Sequence, residues 1–160
     1  MKQSTNSVKN DWNKFCQLTS QERWLLSQAF AFMPVIAVGL HLMGFQRLHS
    51  VLLRFSTTPP DACNEDSLQQ GSVMARLVQA AASRIPFWIS CLVRSTTLWW
   101  FLRWQGIPSE IRIGVNQNDG EFHAHAWVET GGIVLNDRDD IHQQYGAFEQ
   151  ITLPARTERL

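Results

Sequence analysis

The sequence predicts an α+β fold, helical layers first and a small antiparallel sheet after them, on three observations. Up to Gly106 the apolar residues recur at helical spacing, and from Ile111 they alternate as strand residues do. Polar and glycine-containing turns, Asn116 to Gly120 and Gly131-Gly132, separate the alternating stretches. With 160 residues the chain is long enough for one core and too short for two independent enzymatic domains. The expected organisation is an N-terminal helical region over 1–56, a linker or loop over 57–72, and the part that carries chemistry over 73–160.

Thr19 followed three residues later by Glu22 has the form of a capping box, and the run Trp24 to Phe32 suits the helix it would start. No Lys, Arg, Asp or Glu stands between Arg23 and Arg47, a length that can cross a bilayer. Ser27, Gln28, Pro34, His41 and Gln46 dilute that stretch, and neither end has a tight basic cluster. A buried helix pair broken near Pro34 is therefore expected, with the second helix carried on by Leu48, Val51, Leu52 and Phe55. Residues 56–66 collect Pro, Thr, Asn and acids without periodicity, the composition of a surface loop. Met74, Leu77, Val78 and Ala81 predict a further helix up to Pro86. Ser90 is suited to cap a third, from Cys91 to a stop at Gly106. Strands are expected at 111–115, along the 121–130 stretch, and from Ile133 to Leu135.

Fourteen basic residues balance fourteen acidic ones, so no net field draws the chain to nucleic acid or to an anionic membrane, and contact with neither is expected. Seven tryptophans and nine phenylalanines are more aromatic area than a small domain needs inside. Trp99 and Trp100 read as core, and Trp12, Trp24 and Trp104 as candidates for contact with a partner. Cys16, Cys63 and Cys91 are odd in number and far apart, which argues against a disulfide framework or a structural zinc. The polar opening has no export signal, so a reducing cytoplasm is the expected setting.

Cys91 is the cysteine whose position suggests a task, because the first turn of a helix offers unpaired amides and the positive end of the dipole. The plain alternative is a small core residue. Strand alternation puts His123, His125, Trp127 and Glu129 on one face. A three-residue loop at Thr130-Gly131-Gly132 would set Glu129 opposite Ile133 and His125 opposite Asp137, whereas a two-residue loop would put Asn136 opposite His125 instead. Three readings stay open for the histidines. They read as a solvated strand face, as metal ligands completed by Glu129, Asp137 or His142, or as the source of the base in a Cys–His–Asp triad. A non-catalytic peptide-binding factor and an amide transferase or deamidase fit the same residues.

Four segments carry a family resemblance: residues 87–95 around Cys91, 102–107 ending in Gly106-Ile107, 112–115, and 122–129 with the Ala-His-Ala-Trp core. Together they resemble the transglutaminase-like cysteine peptidases of lasso-peptide biosynthesis, over roughly Leu25 to Leu135. The resemblance implies a transglutaminase-like or papain-like core, its cysteine helix packed on a small sheet beneath an N-terminal helical layer. It implies a triad of Cys91, His125 and Asp137, with His123 not carried over and Asp139 or Asp140 as substitutes for the acid. It also implies an activity, removal of the leader from a ribosomally made precursor, that needs no metal and no other cofactor. Its implied partners are the precursor leader, a separate leader-recognition protein, and a cyclase related to asparagine synthetase.

Overall fold

The computed structural model describes residues 19–56, 64–85, 89–118, 121–138, 140–141 and 145–147. Helices α1 (Ser20–Arg54), α2 (Glu65–Ala82) and α3 (Cys91–Trp104) precede strands β1 (Glu110–Asn118), β2 (Glu121–Thr130), β3 (Ile133–Val134) and β4 (Gly146–Ala147). The strands form one antiparallel sheet in the order β3-β2-β1-β4. The fold is α+β, as expected.

The capping box forms. Thr19 Oγ1 accepts from the Glu22 N–H at 3.2 Å, and the Glu22 carboxylate accepts from the Thr19 N–H at 2.8 Å. Those bonds hold the Glu22 carboxyl below the usual carboxylate range. The expected break near Pro34 does not occur. Pro34 withholds the N–H that the Phe30 carbonyl would accept, yet Met33 and Ile36 on either side of it are buried in the core, and the helix continues. The chain turns instead at Gly44, whose φ of 74° and ψ of 168° belong to glycine alone, and Leu48 packs against Gly39. Nothing lies within 4 Å of a Cβ added at Gly44, so Gly44→Ala would meet only backbone strain. It should lower stability by about 1–3 kcal/mol. A urea midpoint equal to the wild type would show that the corner tolerates a side chain.

Burial of α1 is also less complete than expected. Leu26, Ala29, Met33, Ile36 and Gly39 face the core, while Trp24, Val35, Val38 and Leu42 stand exposed on the other side. An 18-residue stretch of α1 has mean hydropathy 1.8, long and apolar enough to cross a membrane by length and composition. α2 starts at Glu65, capped by Asn64, whose Oδ1 accepts from the Ser67 N–H at 2.8 Å. The linker expected over 57–72 is thus helical from 65 onward, because the Asn64 cap allows the helix to begin inside the polar run. Cys16, Cys63 and Trp12 lie outside the described residues.

α3 is covered on every side. Val93 and all residues from Ser95 to Leu102 are buried, as befits a helix between other helices and a sheet. Trp99 and Trp100 are in the core, and Trp24 and Trp104 are 61% and 46% exposed. Gly106, at φ 73°, ends the helix in a Schellman turn, with Ile107 N–H donating to the Leu102 carbonyl at 2.9 Å and Gly106 N–H to Arg103 at 3.0 Å.

The His49 ring stacks on Trp99 with centroids 4.4 Å apart. Burial pulls its imidazole below the ordinary histidine value, and the Arg103 guanidinium acts in the same sense. The folded protein therefore prefers the neutral ring and the unfolded chain takes up the proton more readily. This contribution to stability is complete above the ordinary histidine value and is lost as pH falls toward the folded-state value. The melting temperature should drop as pH falls below about 6.5, and His49→Phe should flatten part of that drop. Equal drops in both proteins would assign the acid sensitivity elsewhere.

Candidate active site

The site is built where α3 crosses β2. Ser95, one helical turn after Cys91 and fully buried, donates to the Ala126 carbonyl at 2.8 Å. Asn136 Nδ2 donates to Ser95 Oγ at 3.0 Å, and Asn136 Oδ1 accepts from the Val128 N–H at 2.8 Å. Ser95 and Asn136, to neither of which the sequence reading gave this role, thus fasten the cysteine helix to the histidine strand and to the segment after the hairpin. The available signal was a hydroxyl one turn beyond Cys91 and an amide beside Asp137.

The direction of α3 follows from a second bond. Trp99 Nε1 donates to the Ser109 carbonyl at 3.2 Å, beside Glu110, which pairs with Glu129 at the end of β2. With Trp99 near the level of Glu129 and Ser95 at Ala126, the helix runs in the same sense as β2. Stepping back from Ser95 to Cys91 moves about 6 Å along the axis, or roughly two strand residues, toward Ala124 and His125. Cys91 is the first residue of α3, behind the Ser90 cap, and is half-buried. No hydrogen bond joins its thiol to His125 among the described residues. Val128 packs into the helical core, whereas Trp127 packs with Val134, Ile141 and Tyr145. His125 alternates with Trp127, so its ring belongs to the sheet face opposite α3.

His125 and Asp137 are brought together, His125 Nε2 lying 2.5 Å from Asp137 Oδ2, with the two side chains 21% and 23% exposed. The route differs from the one expected. Gly131 and Gly132, at φ 58° and 80°, form a two-residue turn, and Glu129 pairs with Val134 rather than Ile133. Two consecutive glycines favour this tighter loop, since both central positions need positive φ. The ladder then gives way to a bend over 135–137. Leu135 N–H donates to the Val128 carbonyl, the Asn136 side chain replaces the next backbone acceptor, and the bend delivers Asp137 to the imidazole. The Arg138 N–H donates to Asp137 Oδ1 at 2.9 Å and orients the carboxylate. Asp140 pairs with Arg138, and Asp139 and His142 lie outside the described residues.

The remaining residues of the expected cluster are differently engaged. Glu129 is buried, accepts from Trp127 Nε1 at 2.6 Å and from Arg112 Nε at 3.3 Å, and so locks the Trp127 ring. His123 is exposed. Among the described residues no three His, Cys, Asp or Glu side chains gather as metal ligands.

A family model, the Transglutaminase-like superfamily, matches residues 35–151. The chain belongs to this superfamily. Neither a curated protein nor a solved structure matches it significantly. Members of the transglutaminase-like superfamily are typically cysteine-based hydrolases and transferases. The match begins inside α1 and runs through α2, α3 and the sheet.

Proposed function

We propose that this transglutaminase-like protein is a cysteine peptidase that removes the leader from a lasso-peptide precursor, using Cys91 as nucleophile, His125 as base and Asp137 as the acid that orients it. The observation that carries the reading is the bond between His125 Nε2 and Asp137. With Nε2–H donated to the carboxylate, Nδ1 keeps the lone pair that can take a proton from a thiol. Further support is the position of Cys91 at the head of α3, at the level of His125. The reading requires thiol and imidazole to meet around the edge of β2, beyond the end of the β3 ladder at Glu129. The finer assignment, to lasso-peptide leaders, rests on the resemblance of the segments around Cys91, Gly106 and His125.

In this mechanism Cys91 sulfur attacks the carbonyl at the leader–core junction and the resulting imidazolium protonates the departing amine. The leader is left as a thioester, and the amine released is the core N-terminus that a cyclase must then acylate. His125 next activates a water that hydrolyses the thioester, and Asp137 stabilises the imidazolium formed at each stage. Amides at the start of α3 are suited to hold the oxyanion, each donor worth a few kcal/mol of barrier. A leader-recognition protein and a cyclase related to asparagine synthetase are the proposed partners, and the cytoplasm the proposed location.

The test is to incubate the protein with precursor and recognition protein and to weigh the products. A cut peptide is expected, with activity lost on iodoacetamide treatment. A change of about one dalton would indicate deamidation instead, and an intact precursor would leave a binding role.

A further inference from the structure

Gly114 pairs with His125 across β1 and β2 and with Ala147 on the other side of β1. A Cβ built on Gly114 would lie 2.8 Å from Tyr145 Cβ and 2.9 Å from Trp127 Cη2, too close for either. The missing side chain is therefore the space taken by the Trp127 ring and by the Cβ from which the Tyr145 ring extends, beside His125. Trp127 is fully buried and held by Glu129, and its ring stacks near His125 with centroids 6.4 Å apart. Tyr145 is nearer, at 5.2 Å and tilted by 31°. Its backbone is fixed from two sides, by its N–H donating to the Ile141 carbonyl at 2.9 Å and by β4, which begins at the next residue.

We infer that Tyr145, seated over Gly114, is a positioning residue that fixes the plane of the His125 ring and so the direction in which Nδ1 faces. Asp137 supplies one point of attachment, at Nε2, about which an imidazole can still turn. A ring packed against its face removes that freedom, and Trp127, two residues along the same strand, forms the fixed wall. The role belongs to the ring, since among the described residues no hydrogen bond joins the Tyr145 hydroxyl to His125. The inference rests on His125 acting as the base of the proposed reaction.

The test compares Tyr145→Phe, Tyr145→Ala and Gly114→Ala in the full-length protein. Two readings are taken: the kinetics of precursor cleavage, and the exchange-protected His125 Nε2–H resonance by NMR. Tyr145→Phe should match the wild type in both. Tyr145→Ala should lose the protected resonance and about ten- to a hundredfold in kcat with KM nearly unchanged, the effect of a misplaced group. Gly114→Ala should do the same by displacing Tyr145 while Tyr145 itself is intact. A protected resonance and wild-type kcat in Tyr145→Ala would overturn the inference, as would a loss in Tyr145→Phe equal to that in Tyr145→Ala. If the wild type cleaves nothing yet loses its His125 signal on Tyr145→Ala, the positioning role stands and the peptidase reading fails.

Discussion

Cys91→Ala is expected to abolish leader removal, a fall on the order of 10⁶-fold in kcat that takes turnover to the background. The substitution deletes one sulfur atom at a half-buried position. Alanine is the best helix former, and the Ser90 cap, which accepts from the Val93 N–H at 3.3 Å, is untouched. Neither the start of α3 nor its attachment through Ser95 depends on the thiol. Melting temperature and binding of the precursor should therefore match the wild type, so the loss reads as chemistry and not as unfolding. Mass spectrometry of the precursor gives the answer. Cleavage by Cys91→Ala at the wild-type rate would remove Cys91 from the mechanism and leave the His125–Asp137 pair to another nucleophile.

Asp137→Asn is the next largest effect, a loss of about 10³- to 10⁴-fold in kcat. Two things change at once. The negative charge that stabilises the imidazolium disappears, and an amide offers a donor as well as an acceptor to Nε2, so the tautomer with its lone pair on Nδ1 is no longer enforced. Size and the bond from the Arg138 N–H are nearly conserved, so the bend should persist. Activity should remain measurable, above that of Cys91→Ala, with KM altered little. Undiminished turnover would move the acidic role to another carboxylate, and a drop in melting temperature would make Asp137 a structural residue first.

Much of the fold was legible where a local cause suffices. The capping box at Thr19 and Glu22 needs only two side chains three residues apart. The α2 face of Met74, Leu77, Val78 and Ala81 needs only the helical period, and Gly106 ends α3 by a conformation that glycine adopts freely. The errors fall where local rules compete. Pro34 signals a break, yet buried neighbours hold the helix through it and Gly44 takes the turn. Asn64 starts α2 inside a stretch whose composition is that of a linker. At the hairpin the paired positive φ of Gly131 and Gly132 gives a two-residue turn that sets Glu129 against Val134, a register that neither of the two loops weighed from the sequence provides.

By itself the sequence determined the class of fold, the helix that begins at Cys91, the strand that carries His125, and the short reach to Asp137, because each depends on spacing along the chain. Tertiary structure decided how they meet. The bond from His125 to Asp137 comes from a bend held by Asn136, which is itself held by Ser95 of a distant helix. The space for Tyr145 is an absent side chain on a neighbouring strand. Such arrangements depend on which buried polar groups find partners once the layers pack, and no spacing within one segment encodes that.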